Sequence, residues 1–192
     1  LEQSAAAQAA YAVGYNQIFS LITWTSVALM AAASTVTGQS LGAGDRERAL
    51  SVPWAASKIG LALAVPFGLL FLTLPGALLG IFGMEEPAVL ALGSELLAFL
   101  ALSGLFLTTA LSYTGALQGT GDTRSPMYIS IFSQLVLPLS ICAVLDALHG
   151  LGSADIWTAI VAGHFLRCAL SVARFYQGKW QGIEVQLGEA GP

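Results

Sequence analysis

LLAFLALSGLFLTTALSYTGALQGTG, residues 96–121, carries no charged side chain and then meets Asp122. A mainly apolar run of about 18 residues or more is long enough to cross the hydrocarbon core of a bilayer as a helix. Its end has the composition of a sharp corner. Glycine permits the positive φ that turns a chain at a helix terminus, and aspartate accepts the N–H groups of whatever follows. Uncharged runs of the same kind occupy residues 3–44, 59–84 and 125–145, and a fifth, 156–173, is interrupted only by His164 and Arg167. The chain therefore reads as an all-α membrane protein of about five transmembrane helices.

Composition agrees. Of 192 residues, 56% are hydrophobic and 9% charged, against about 25% charged in a soluble domain. So few charges cannot coat a surface facing water, and the outer surface must face lipid. A net charge of −4 without a basic stripe argues against nucleic acid as a partner. Cys142 and Cys168 both sit in apolar runs and read as buried thiols rather than a disulfide or metal site. The chain starts at Leu1, and no basic segment precedes an apolar stretch, so no signal peptide is read and an upstream portion is expected.

The pattern predicts helices at about 11–37, 58–82, 87–117, 126–148 and 155–177 in one transmembrane unit, 1–180, followed by a short polar tail, 181–192. Pro87 and Pro126 stand where helices can start, while Pro66, Pro75 and Pro138 fall inside spans. Loop charges set the orientation. Arg46, Arg48 and Lys58 flank the first loop, Arg124 the third, and Arg174 and Lys179 the tail; the second and fourth loops have no Lys or Arg. The positive-inside rule then puts the first and third loops and the carboxyl terminus in the cytoplasm. Five helices with the tail inside leave the amino terminus outside, which a missing upstream helix would explain.

Two inner corners repeat a theme: GAGDR at residues 42–46 and GTGDTR at 119–124. Either is an ordinary tight turn. Neither is a dinucleotide or P-loop fingerprint, for want of a third glycine after a strand or of Gly-Lys-Ser/Thr. Their longer context, AAASTVTGQSLGAGDRERA (31–49) and GALQGTGDTRSP (115–126), resembles the two signatures of the MATE (multidrug and toxic compound extrusion) transporters. RFYQGKW (174–180) is similar to that family's exit from its last helix. The signature positions are Gly38, Gln39, Gly42, Gly44, Asp45, Gly119, Gly121, Asp122 and Pro126. The resemblance implies twelve helices in two six-helix lobes. The five here would form most of the carboxyl-terminal lobe, and the amino-terminal lobe of the same polypeptide would be a missing partner.

Intramembrane polar groups are the candidates for function. Asn16, Ser20 and Thr23 share a face of a regular helix, with Gln17 and Trp24 beside them; Tyr113 and Gln134 are weaker candidates of the same kind. They would line a cavity for flat organic cations or glue helices together. Glu95 is either a cation-binding carboxylate or an interfacial group at an end already wetted by Glu85 and Glu86, the latter reading being favoured. His164 and Arg167, ion-coupling candidates with Glu95, lie at i and i+3 on one face and meet a polar cavity or a carbonyl of the other lobe, a proton relay at His164 being the lesser reading; equally, Arg167 snorkels to the headgroups. Small residues at 31–34 and at Gly115 and Gly119 read as close helix contacts.

The resemblance implies a secondary antiporter that exports organic cations or xenobiotics in exchange for Na⁺ or H⁺, by alternating access, in a bacterial plasma membrane. The expected partners are the bilayer, small organic cations and the other lobe. No cofactor is expected beyond the transported ion, no metal site, and no enzymatic constellation. The alternative is a lipid-linked oligosaccharide flippase of the same two-lobe fold, which would line its cavity with more basic residues.

Overall fold

The computed structural model describes residues 2–182, and five of its helices are long and apolar enough to cross a membrane. They are α1 (Ala5–Gly42), α2 (Arg46–Thr73), α3 (Pro87–Gly119), α4 (Arg124–His149) and α5 (Ser153–Tyr176). No strand occurs among the described residues. The polar tail expected from residue 181 onward lies, beyond Gly182, outside them.

Local chemistry sets the helix ends. Helix α2 begins at Arg46, well ahead of the Lys58 that hydropathy suggests, because Asp45 caps it: its Oδ1 accepts the Arg48 N–H at 3.0 Å. Glu47 in the first turn also suits the positive end of a helix dipole. Helix α2 therefore starts before its apolar portion does. It ends at Thr73, since the proline ring of Pro75 disfavours helical backbone at Leu74 (φ −132°, ψ 42°). Pro75 then opens a short helix, Pro75–Gly80, instead of sitting inside a span. Pro53 and Pro66 remain within α2.

Helix α3 is the hub, buried on most sides by α1, α2 and α5. It approaches α1 backbone to backbone. A Cβ at Gly115 would overlap the Met30 carbonyl, and one at Gly119 the Ser34 carbonyl, so the small residues serve as the close contact their spacing suggests. A buried hydroxyl pair, Ser26 and Thr108 at 2.8 Å, ties the same two helices. The remaining hydroxyls mostly donate to carbonyls one turn back, as Ser57 does to Pro53 and Ser112 to Thr108. That satisfies them without water. Helix α4 differs from the rest. It buries only Pro126 and Ser133 and leans on α5, where Gly163 admits the Ser133 carbonyl.

Two helices contain a wide π-helical turn, Gly14–Ile18 in α1 and Phe132–Val136 in α4. Chain alternation places both Gly-x-Gly-Asp corners and the exit of α5 at one end. The turns at Gly83 (φ +72°) and Gly150 (φ +81°), with Glu85, Glu86, Asp146 and Asp155 nearby, lie at the other.

Candidate functional site

Between α1, α3, α4 and α5 lies a cavity of about 460 Å³. Helical stripes build its walls. Thr23, Val27 and Met30 come from α1; Leu107, Leu111, Thr114 and Gln118 from α3; Met127, Ser130 and Gln134 from α4; and His164 with Arg167 from α5. Each set keeps the three- and four-residue spacing of one helix face.

The π-helical turn decides what α1 contributes. A wide turn absorbs one extra residue, which shifts the phase of everything before it by about 100°. On a regular helix Asn16 would share Thr23's face. With the extra residue absorbed, Tyr15 takes that place and lines the cavity, while Asn16 and Gln17 are exposed. Ser20 donates to the Gln17 carbonyl, and Trp24 points outward, 72% exposed.

The other singled-out residues distribute as follows. Thr23, Gln134, His164, Arg167 and Pro126 all line the cavity. Tyr113 is buried outside it, its hydroxyl 3.1 Å from that of Tyr176 and its ring edge-on to Phe175, in an aromatic cluster completed by Trp180. Glu95 is half-buried near the acidic end of α3, away from the cavity. Gly38 faces the Gly119 carbonyl, whereas Gln39 and Gly42 are exposed. Tyr15, Thr114, Gln118 and Ser130 are lining residues that sequence reasoning did not single out. Gln118 sits inside the second signature, and Ser130 precedes Gln134 by one turn, so for these two the signal was present.

The two corners share a design. Gly44 (φ +76°) and Gly121 (φ +87°) adopt the left-handed backbone that glycine allows. Asp45 and Asp122 each accept a backbone N–H three residues on, from Arg48 and Ser125, both at 3.0 Å. Asp122 does more. Its Oδ2 accepts from Arg174 Nε at 3.0 Å and Nη2 at 2.8 Å, tying the second corner to the end of α5. Burial by itself would push this carboxyl up; the hydrogen bonds from Ser125 and the Arg174 guanidinium outweigh it and hold the group below its ordinary range.

The cavity also holds unspent polarity. His164, 2% exposed, has a buried Nδ1 with no hydrogen-bond partner, and so does Nε of Arg167. Both residues lie near the middle of α5: His164 is about 16 Å from its start at ~1.5 Å per residue. No carboxylate among the described residues comes within ion-pair distance of Arg167. A stack of rings leads to this point, from Trp157 to Tyr11 (6.1 Å), Tyr15 (5.1 Å), Phe19 (5.4 Å) and the His164 ring (6.1 Å).

Comparison with known proteins locates this arrangement. The model of the MatE family matches residues 2–144. A probable multidrug resistance protein NorM of Thermotoga maritima is 28% identical over 177 residues, 92% of this chain and 38% of that protein. The similarly named protein of Brucella suis is 30% identical over 173 residues, 88% of this chain and 36% of its own length. One from Deinococcus radiodurans is 30% identical over 142 residues, covering 72% and 32% respectively. The chain thus spans well under half the length of these relatives.

Proposed function

The chain belongs to the MatE family, and from that premise we propose that it forms part of a secondary antiporter exporting organic cations and other xenobiotics in exchange for Na⁺ or H⁺. The observation that carries the reading is the cavity among α1, α3, α4 and α5, with buried, unpartnered polar atoms at Arg167 and His164 near the middle of α5. Polar groups at that depth are costly unless something meets them. A transported solute, or the other half of a two-lobe transporter, supplies that something in turn. The rest of the lining suits varied guests: Tyr15 offers a ring face, Met30 and Met127 offer pliable thioethers, and Gln118 and Gln134 offer amides that donate or accept.

In this reading the basic end faces the cytoplasm of a bacterial plasma membrane, and the cavity is exposed to each side alternately. The work is binding and release, with no bond made or broken. Transport is tested with the intact protein in cells or proteoliposomes, by ethidium efflux under imposed Na⁺ and proton gradients and with each gradient collapsed. Efflux driven by one gradient is expected. Efflux indifferent to both would remove the antiporter.

A further inference from the structure

We infer that the groove between the start of α4 and the end of α5 is a binding site for the headgroup of an anionic phospholipid, taken from the leaflet at the basic end. The groove has a volume of about 330 Å³ and runs between Ser125, Tyr128 and Ile129 of α4 and Leu170, Arg174 and Gln177 of α5. Its α4 wall is roughly the opposite face of that helix from Met127 and Ser130, which line the larger cavity. The two are lined by different residues.

Arg174 supplies the charge. Asp122 takes two N–H groups of its guanidinium, one on Nε and one on Nη2. A guanidinium has five, so three remain without a protein partner among the described residues. The pair with Asp122 thereby fixes the fork and leaves its other edge for an anion. Asp122 cancels one positive charge, and Arg124 at the head of α4 with Lys179 beyond α5 more than restores it. A phosphodiester carries a single negative charge, and a guanidinium fork matches two of its oxygens.

The groove is also graded along the membrane normal. Arg174 and Gln177 lie at the end of α5, while Leu170 and, on α4, Ile129 lie about 6 Å deeper at ~1.5 Å per residue. Tyr128, 64% exposed, sets an amphipathic ring at headgroup level. A soluble phosphate would use only the polar rim. A lipid also covers the apolar floor with its glycerol and first methylenes, and basic pockets between helices at a cytoplasmic surface suit anionic headgroups.

The test releases the intact protein from micelles holding equal amounts of phosphatidylglycerol and phosphatidylcholine with the same chains, and reads the retained lipid by native mass spectrometry. Neither the exported solute nor the orientation in the cell enters the result. The wild type should keep phosphatidylglycerol over phosphatidylcholine. Arg174→Gln should cut that preference by about fivefold or more, the scale of one basic residue at an anionic surface. Arg124→Gln, at an exposed position, should lower it in the same direction. Asp122→Asn breaks the same ion pair yet should preserve or raise the preference, since it leaves the guanidinium wholly free. A pair that served structure alone would make Asp122→Asn and Arg174→Gln alike, and that result would overturn the site. So would equal retention of the two lipids by the wild type, a preference unchanged in Arg124→Gln, or an equal loss in Lys58→Gln, which removes a charge from α2. Displacement of the lipid by inorganic phosphate would assign the groove to a soluble anion instead.

Discussion

Asp45 and Asp122 occupy equivalent places in their corners, and Asp122 in addition receives the Arg174 guanidinium. Losing that pair should matter more. Asp122→Asn is expected to destabilise the detergent-solubilised protein by about 1–3 kcal/mol, toward the lower end because Arg174 is partly exposed; Asp45→Asn should cost less, and thermal unfolding of both variants checks the order. The pH dependence has a definite sign. The folded carboxyl of Asp122 titrates below its unfolded value, so its contribution is complete above about pH 4–5 and lost as pH falls through the depressed value. The gap between wild type and Asp122→Asn should be flat from pH 8 to about 5 and close only in stronger acid. Gly115 makes the other residue-scale prediction. Gly115→Val would drive a side chain into the Met30 backbone and should lower stability by at least about 1–3 kcal/mol, whereas Gly42→Val, with open space around it, should cost far less in the same assay.

At the scale of elements, some features were legible in the residues and others were not. Glycine and aspartate announce a corner because only their own chemistry is needed there, and the positive φ at Gly44 and Gly121 answers to it. The early start of α2 was hidden, since a hydropathy reading follows side chains while a cap acts on backbone N–H groups at Arg48. The π-helical turn in α1 was hidden more deeply. Its wide hydrogen-bonded loop has no residue signature, yet it decides that Tyr15 rather than Asn16 faces the cavity. Inserting one alanine between Leu21 and Ile22 should shift the phase of everything before it and turn Tyr15 away from Thr23's face by about 100°. The expected outcome is a protein that still inserts in the membrane but loses at least about tenfold in affinity for ethidium, the aromatic probe of the proposed transport. Normal affinity in a stable insertion variant would show that the phase the wide turn gives Tyr15 has no part in shaping the site.

The described residues have an acidic end and a basic end, and on that asymmetry the proposed orientation puts the basic end in the cytoplasm. On a Cys142→Ser, Cys168→Ser background, a cysteine at Gly150 should react with an impermeant maleimide added to intact cells. One at Lys179 should react only after the cells are opened. The reverse pattern would invert the topology. The packing is uneven in the same global sense: α3 holds α1, α2 and α5, while α4 is attached mainly through α5 and leaves Tyr128, Phe132, Leu135 and Leu139 exposed.

The contact of Met30 and Ser34 with Gly115 and Gly119 also bears on how the protein is made. Helices leave the ribosome in order, at about 5–20 residues per second, so the glycines of α3 arrive roughly 4–17 s after the carbonyls they will cover. Throughout that interval the most closely fitted surface of α1 stands without α3 to meet it. Substitutions at Gly115 or Gly119 would therefore be felt first as a nascent chain in which α3 cannot close on α1, and pulse-chase degradation should register them before any loss of transport.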